Sequence, residues 1–206
     1  MSDSAVHVAG LVAVLVAAPA LLAYAATQAG DVRTITAVSV YCATLVAMIL
    51  FSALYNMLRH TRFTPVLRRL DHAAIYFKIA GTYTPFALLS GAPAAFLLGM
   101  LWFGAALGTV LRVLVPHRFR WVAFGLYLGM GWAGVVAGWP VLTALSAPVL
   151  ALIVIGGCLY TFGTVFYLAK NMPFQRTVWH VFVLLASVMF YLAVVMQVGQ
   201  TAVSGN

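Results

Sequence analysis

Seven long apolar runs separated by short polar stretches make up almost the whole chain: residues 6–26, 35–58, 71–89, 94–115, 121–138, 147–169 and 178–198. A helix that crosses a bilayer needs about 20 apolar residues, so the pattern predicts an all-α integral membrane protein with seven transmembrane helices. Trp139 and Pro140 close the fifth run, and residues 141–146 are too few to cross, which predicts a loop near the interface. A different division of residues 141–155 would lower the count to six and move the C-terminus to the other side. The loops are short and no low-complexity linker interrupts the runs, so residues 1–206 form one domain.

Composition sets the solvent. With 65% hydrophobic and 7% charged residues and a mean hydropathy of +1.07, the apolar surface exceeds what a water-soluble core hides, and a bilayer is the environment that accepts it. The net charge of +8 would suggest nucleic acid in a soluble domain, but here the cations fall between the apolar runs and act as topology signals. No nucleic-acid partner is implied. Arg59, Arg62, Arg68 and Arg69 follow the second run; Arg112, Arg118 and Arg120 surround the fourth-to-fifth connection; Lys170 and Arg176 lie between the sixth and seventh. The other side offers Arg33, next to Asp31. This bias predicts cytoplasmic basic loops, a cytoplasmic N-terminus and an outer C-terminus, with Tyr55, Trp121 and Trp179 at the cytoplasmic interface.

The opening MSDSAVHVAG lacks the basic region and cleavage site of a leader, so the first run is expected to stay as a span. Cys42 and Cys158 fall inside apolar runs, where a free thiol behaves as a small hydrophobe, and no disulfide is expected. Gly125, Gly129 and Gly131 in the fifth run and Gly156, Gly157 and Gly163 in the sixth are expected to let helices approach closely.

The topology gathers a polar cluster beneath the cytoplasmic surface. Ser52 and Asn56 end the second run, Asp71 opens the third, and Arg176 and His180 flank the start of the seventh. Ser52 and Asn56 share a helical face, as do Arg176 and His180. Asp71 is the acidic residue associated with the membrane interior, and it has two readings: a site carboxylate, or an N-cap that accepts backbone N–H groups. Among the histidines, His60 and His117 lie in basic loops, His72 lies off the Asp71 face, and His180 sits within an apolar run. Lys78 follows Asp71 by two helical turns, about 10 Å deeper. It either snorkels to the surface or serves as an internal counter-ion, because an unpartnered buried ammonium costs several kcal/mol.

Three strings carry a family resemblance. LDHAAIYFKIAGTYTPFALL (residues 70–89), GGCLYTFGTVFY (156–167) and WHVFVLLAS (179–187) resemble, in order, the signatures of the hemolysin III family, the bacterial branch of the progestin and adipoQ (adiponectin) receptor superfamily. The resemblance implies a seven-helix bundle in the bacterial cytoplasmic membrane. It also implies a zinc ion held near the cytoplasmic face by three histidines, with a serine and an aspartate nearby. Carried over by position, Ser52 is the serine, Asp71 the aspartate and His180 one metal ligand. Asn56, in SALYN, and Arg176, in RTVWH, stand where the other two histidines are expected.

Asparagine is a poor zinc ligand, and arginine is a cation without a lone pair to give. A guanidinium at 4 Å would repel each unit of metal charge by about 4 kcal/mol at an effective dielectric near 20. The expectation is therefore a degenerate metal site without a cofactor, zinc being the disfavoured alternative, and a charge cluster of Asp71, Lys78 and Arg176 in the metal's place. The implied function is that of a non-catalytic membrane protein that binds lipid or influences membrane lipid homeostasis and signalling. The alternative is a zinc-dependent hydrolase of lipid amides with Asp71 and Ser52 as its catalytic groups. A pore is the weaker third reading, since the runs show no repeated polar stripe. Membrane lipid is the partner expected, and no protein partner is implied.

Overall fold

The computed structural model describes the chain except for residues 1, 59, 115–119, 170, 205 and 206. His117, Arg59, Arg118 and Lys170 therefore lie outside the described residues. Among the described residues eight helices follow in order: α1 (Ser2–Gln28), α2 (Val32–Met57), α3 (Thr64–Leu89), α4 (Ala95–Leu114), α5 (Arg120–Ala137), α6 (Trp139–Ala144), α7 (Ala147–Leu168) and α8 (Gln175–Ser204). Among the described residues there is no strand. Five helices, α1, α2, α4, α7 and α8, are long and apolar enough to cross a membrane, and α5 is a shorter apolar helix. The chain is a multi-pass helical membrane protein.

Local chemistry sets the ends. Gly30, at φ +65°, turns the chain out of α1, and the Asp31 carboxylate then accepts the Thr34 N–H at 3.0 Å to cap α2. Pro65 lies in the first turn of α3 and Pro148 in that of α7, where a missing N–H removes no helical bond. Gly91, at φ +73°, follows the end of α3.

Two boundaries differ from the sequence expectation. Residues 141–146 were expected to form a loop, but α6 is a short helix begun by Pro140 in its first turn, and Val141, only 2% exposed, packs into the core. The third helix starts at Thr64, seven residues before Asp71, because the basic stretch around Arg68 and Arg69 continues it beyond the apolar run. Asp71 therefore lies two turns inside a helix and is not its N-cap.

Helix α3 is the hub of the bundle. It packs along α2 and α4 and also meets α5 and α8. Tyrosine hydroxyls pin it to α5: Tyr76 donates to the Ala123 carbonyl at 2.8 Å, and Tyr83 donates to the Gly131 carbonyl at 2.7 Å while accepting the Gly134 N–H. Tyr191 on α8 donates to Ala17 O on α1, and Tyr160 pairs with Ser187 between α7 and α8. Interhelical bonds of this kind contribute modestly, about 0.6 kcal/mol each on average, but each fixes a register.

Of the glycines expected at close approaches, Gly156 faces the Phe190 ring and Gly163 faces Phe182 and Trp179. Gly125, Gly129 and Gly131 have open space where a Cβ would go, so close packing does not explain them. The tighter approaches are at Gly81, against Thr44, and Gly108, against the Tyr76 ring. Cys42 and Cys158 are both free.

Candidate functional site

Contacts between helices collect seven helix ends at one end of the bundle. Ser52, near the end of α2, lies against the Asp71 carboxyl near the start of α3, and Tyr55 lies beside His72. Arg112, at the end of α4, lies near the Tyr76 hydroxyl, which donates to Ala123 O in the first turn of α5. Phe124 stacks on Tyr167 at the end of α7, and Tyr167 packs on Trp179 at the start of α8. His180, the next residue along α8, contacts Asp3 in the first turn of α1. This packing follows from hairpin connections between successive long helices, which return alternate ends to the same side.

These ends surround a cavity of about 750 Å³. Ser52, Asn56, Asp71, Arg176 and His180 line it at this end, while Phe86, Leu142 and Ile153 give it apolar walls further along. Helices α5 and α7 make few close backbone contacts and are bridged by side chains: Trp132 Nε1 donates to Thr161 Oγ1 at 3.2 Å, and Phe124 stacks on Tyr167.

The expected polar cluster shares this cavity but is not joined into one group. Asp71 is half-buried, with the Ser52 side chain beside its carboxyl. The Asn56 amide nitrogen donates to Ser52 O at 2.9 Å, back onto its own helix. Arg176 is exposed in the first turn of α8. Among the described residues no ion pair joins Asp71 to Lys78 or Arg176, so the expected charge cluster is corrected to separate groups.

Lys78 does not snorkel. It is 3% exposed; its ammonium donates to Thr82 Oγ1 at 2.5 Å and lies 4.5 Å from the Tyr41 ring centroid, with Phe190 at 5.8 Å. A hydroxyl and two aromatic faces occupy the surroundings that a counter-ion was expected to fill. His60 is exposed in the turn before α3, and His72 Nδ1 lies 2.5 Å from Arg68 O.

The donors carried over by resemblance do not suit a zinc ion: an amide nitrogen turned to a backbone carbonyl and an exposed guanidinium occupy two of the three ligand positions. His180 has other company, which the sequence reading passed over. Its Nδ1 lies 2.8 Å from Asp3 Oδ1, and its ring meets that of His7 edge-on, with centroids 4.3 Å apart. His7 Nε2 lies 3.7 Å from the same Asp3 oxygen. The available signal was the spacing of Asp3 and His7, four apart and hence on one face of the first helix.

Residues 2–191 match the sequence model of a family described as Haemolysin-III related. The chain is 35% identical over 187 residues to a hemolysin-3 homolog of Bacillus subtilis (strain 168), covering 89% of this chain and 88% of the relative. It is also 35% identical over 179 residues to hemolysin-3 of Bacillus cereus, covering 86% and 82%. A more distant similarity, 31% over 128 residues and 60% of this chain, links it to 52% of the monocyte to macrophage differentiation factor of Homo sapiens. With its helical membrane architecture and this match over nearly its whole length, the chain belongs to the hemolysin III family.

Proposed function

We propose that the chain is a seven-span protein of the bacterial cytoplasmic membrane that binds a lipid between its helices and acts on membrane lipid state without hydrolysing the lipid. The observation that carries this reading is the cavity: polar groups at one end suit a headgroup, apolar walls suit an acyl chain, and lipid would enter between α5 and α7, whose backbones make few close contacts. The metal site implied by the family is degenerate at Asn56 and Arg176, so the water-activating centre of an amide hydrolase lacks two of its donors.

The topology belongs to the same proposal. Helices α3 and α5 complete the five longer apolar helices to seven spans, with the polar first turns of α3 standing in the headgroup region. Arg62, Arg68, Arg69, Arg112 and Arg176 lie at the end that also holds the start of α1, and a positive-inside bias assigns that end to the cytoplasm.

The test is lipid analysis of protein purified in mild detergent, paired with Ile153→Trp to fill the apolar walls. The parent is expected to retain an acyl lipid that survives native mass spectrometry, and the variant to lose most of it. No retained lipid in either would overturn lipid binding. Release of fatty acid from added ceramide, abolished in Asp71→Ala, would replace the non-catalytic reading with a hydrolase.

A further inference from the structure

We propose that Asp3, His7 and His180 form a binding site for a divalent metal of the zinc class, which clasps the first helix to the last. The three side chains combine a carboxylate and two imidazoles, a donor set that suits zinc, and one ligand atom from each lies within 4.8 Å of the other two. In a tetrahedral site with bonds of about 2.0 to 2.1 Å, neighbouring donors stand about 3.3 Å apart. The observed separations, 2.8 Å from His180 Nδ1 to Asp3 Oδ1 and 3.7 Å from His7 Nε2 to the same oxygen, lie on either side of that value. The two imidazole donors lie within 4.8 Å of each other, so binding would draw them together.

The surroundings favour a site over a chance surface cluster. The side chains of His7, His180 and Asp3 are 5%, 13% and 24% exposed, so little water competes for the donors. Asp3 and His7 are preset by their i, i+4 spacing on α1, and α8 brings His180 to them from 177 positions beyond Asp3. Arg176, one turn before His180, is exposed, and its charge is solvated and screened. His7 and His180 also line the cavity beside Ser52 and Asp71. Three donors from the chain leave one tetrahedral position for water or an anionic group in the cavity. The site keeps His180 from the family's implied set and takes its other two donors from a different helix.

The competing reading is a His180 N–H to Asp3 hydrogen bond with His7 packed against it and no metal. Metal content separates the two. Protein purified through a tag free of histidine, without added metal, is analysed for first-row metals, then stripped with chelator and titrated with Co²⁺ while its visible d–d absorption is followed. The proposal expects close to one metal per chain, tetrahedral cobalt bands, and a fall in Tm on chelation. His7→Ala and Asp3→Asn are expected to lose at least about tenfold in metal affinity, while His72→Ala keeps it. Asp3→Asn preserves the size of the side chain and a hydrogen-bond acceptor, so it guards against a variant that merely misfolds. His7→Cys is expected to bind Co²⁺ with an added thiolate charge-transfer band, which a structural hydrogen bond would not produce. A parent with no more metal than Asp3→Asn and no cobalt bands would overturn the site, as would metal retained in both donor variants. The inference does not rest on lipid binding, and loss of retained lipid without loss of metal would strike at that reading alone.

Discussion

The unusual single residue is a lysine held by neutral groups. Lys78 is buried, and its ammonium is satisfied by the Thr82 hydroxyl and the Tyr41 ring face, while that hydroxyl donates to Lys78 O at 2.7 Å. Thr82→Val keeps the shape and removes the acceptor, so it is expected to destabilise the protein by about 1 to 3 kcal/mol, because a buried charged donor is left unsatisfied. Lys78→Met keeps the stem and removes the charge, and is expected to be neutral or stabilising. The double variant should then cost much less than Thr82→Val alone, a coupling that thermal unfolding in detergent would detect. Additive losses would mean that Thr82 acts through packing.

At the other end of the bundle, Asp31 caps α2, and the nearby Thr34 hydroxyl and the Thr34 backbone N–H hold its carboxyl below the ordinary value of 3.8. A depressed folded-state value gives stability that is complete above the unfolded pKa and is lost as pH falls through the folded one. Asp31→Ala is expected to lower Tm slightly at neutral pH, consistent with a cap worth about 1 kcal/mol, and to flatten the acid limb of the Tm profile. An acid limb unchanged by the substitution would remove the cap from the account.

At the scale of elements, the most crowded glycine among the described residues is Gly81, where α3 meets α2. A Cβ at Gly81 would stand 2.0 Å from Thr44 Oγ1 and 2.8 Å from its Cγ2, and the Thr44 hydroxyl is held to its own helix by Val40 O and Tyr41 O. Gly81→Ala therefore forces the helices apart, at an expected cost of about 1 to 3 kcal/mol. Thr44→Ala removes both of those atoms but keeps a Cβ that would stand 2.9 Å away, so the double variant is expected to recover part of the loss, as read from unfolding midpoints. The apolar runs located these elements well, since six of the seven predicted spans begin within a few residues of a helix. They misplaced the start of α3 because hydropathy cannot register a helix that continues into Arg68 and Arg69 beyond the bilayer core, although Pro65 marked its first turn. Ser52 and Asp71 were legible as neighbours because a hairpin joins their helices. Asp3 and His7 were not legible beside His180, because only the ring closure of α1 against α8 brings such distant positions together.

For the whole molecule, the packing constrains how the chain can cross a membrane. The end of α2, the start of α3, the end of α7 and the start of α8 share one end of the bundle, so the turns at Thr61 and Asn171 must lie on the same side. A six-span arrangement, with α5 not crossing, would put those turns on opposite sides and pull apart the stack of Phe124 on Tyr167. Single cysteines decide between them. In a Cys42→Ala, Cys158→Ala background, Thr61→Cys and Asn171→Cys are expected to resist a membrane-impermeant thiol reagent in intact spheroplasts and to react after permeabilisation. Ala29→Cys and Gly91→Cys should react without it. Reaction at both Thr61 and Asn171 would invert the bundle and overturn the charge argument while preserving seven spans. Reaction at only one of them would mean that α5 does not cross. The cavity, which depends on α5 standing beside α3 and α7, would then lose one of its walls, and lipid binding would lose its structural basis with the topology.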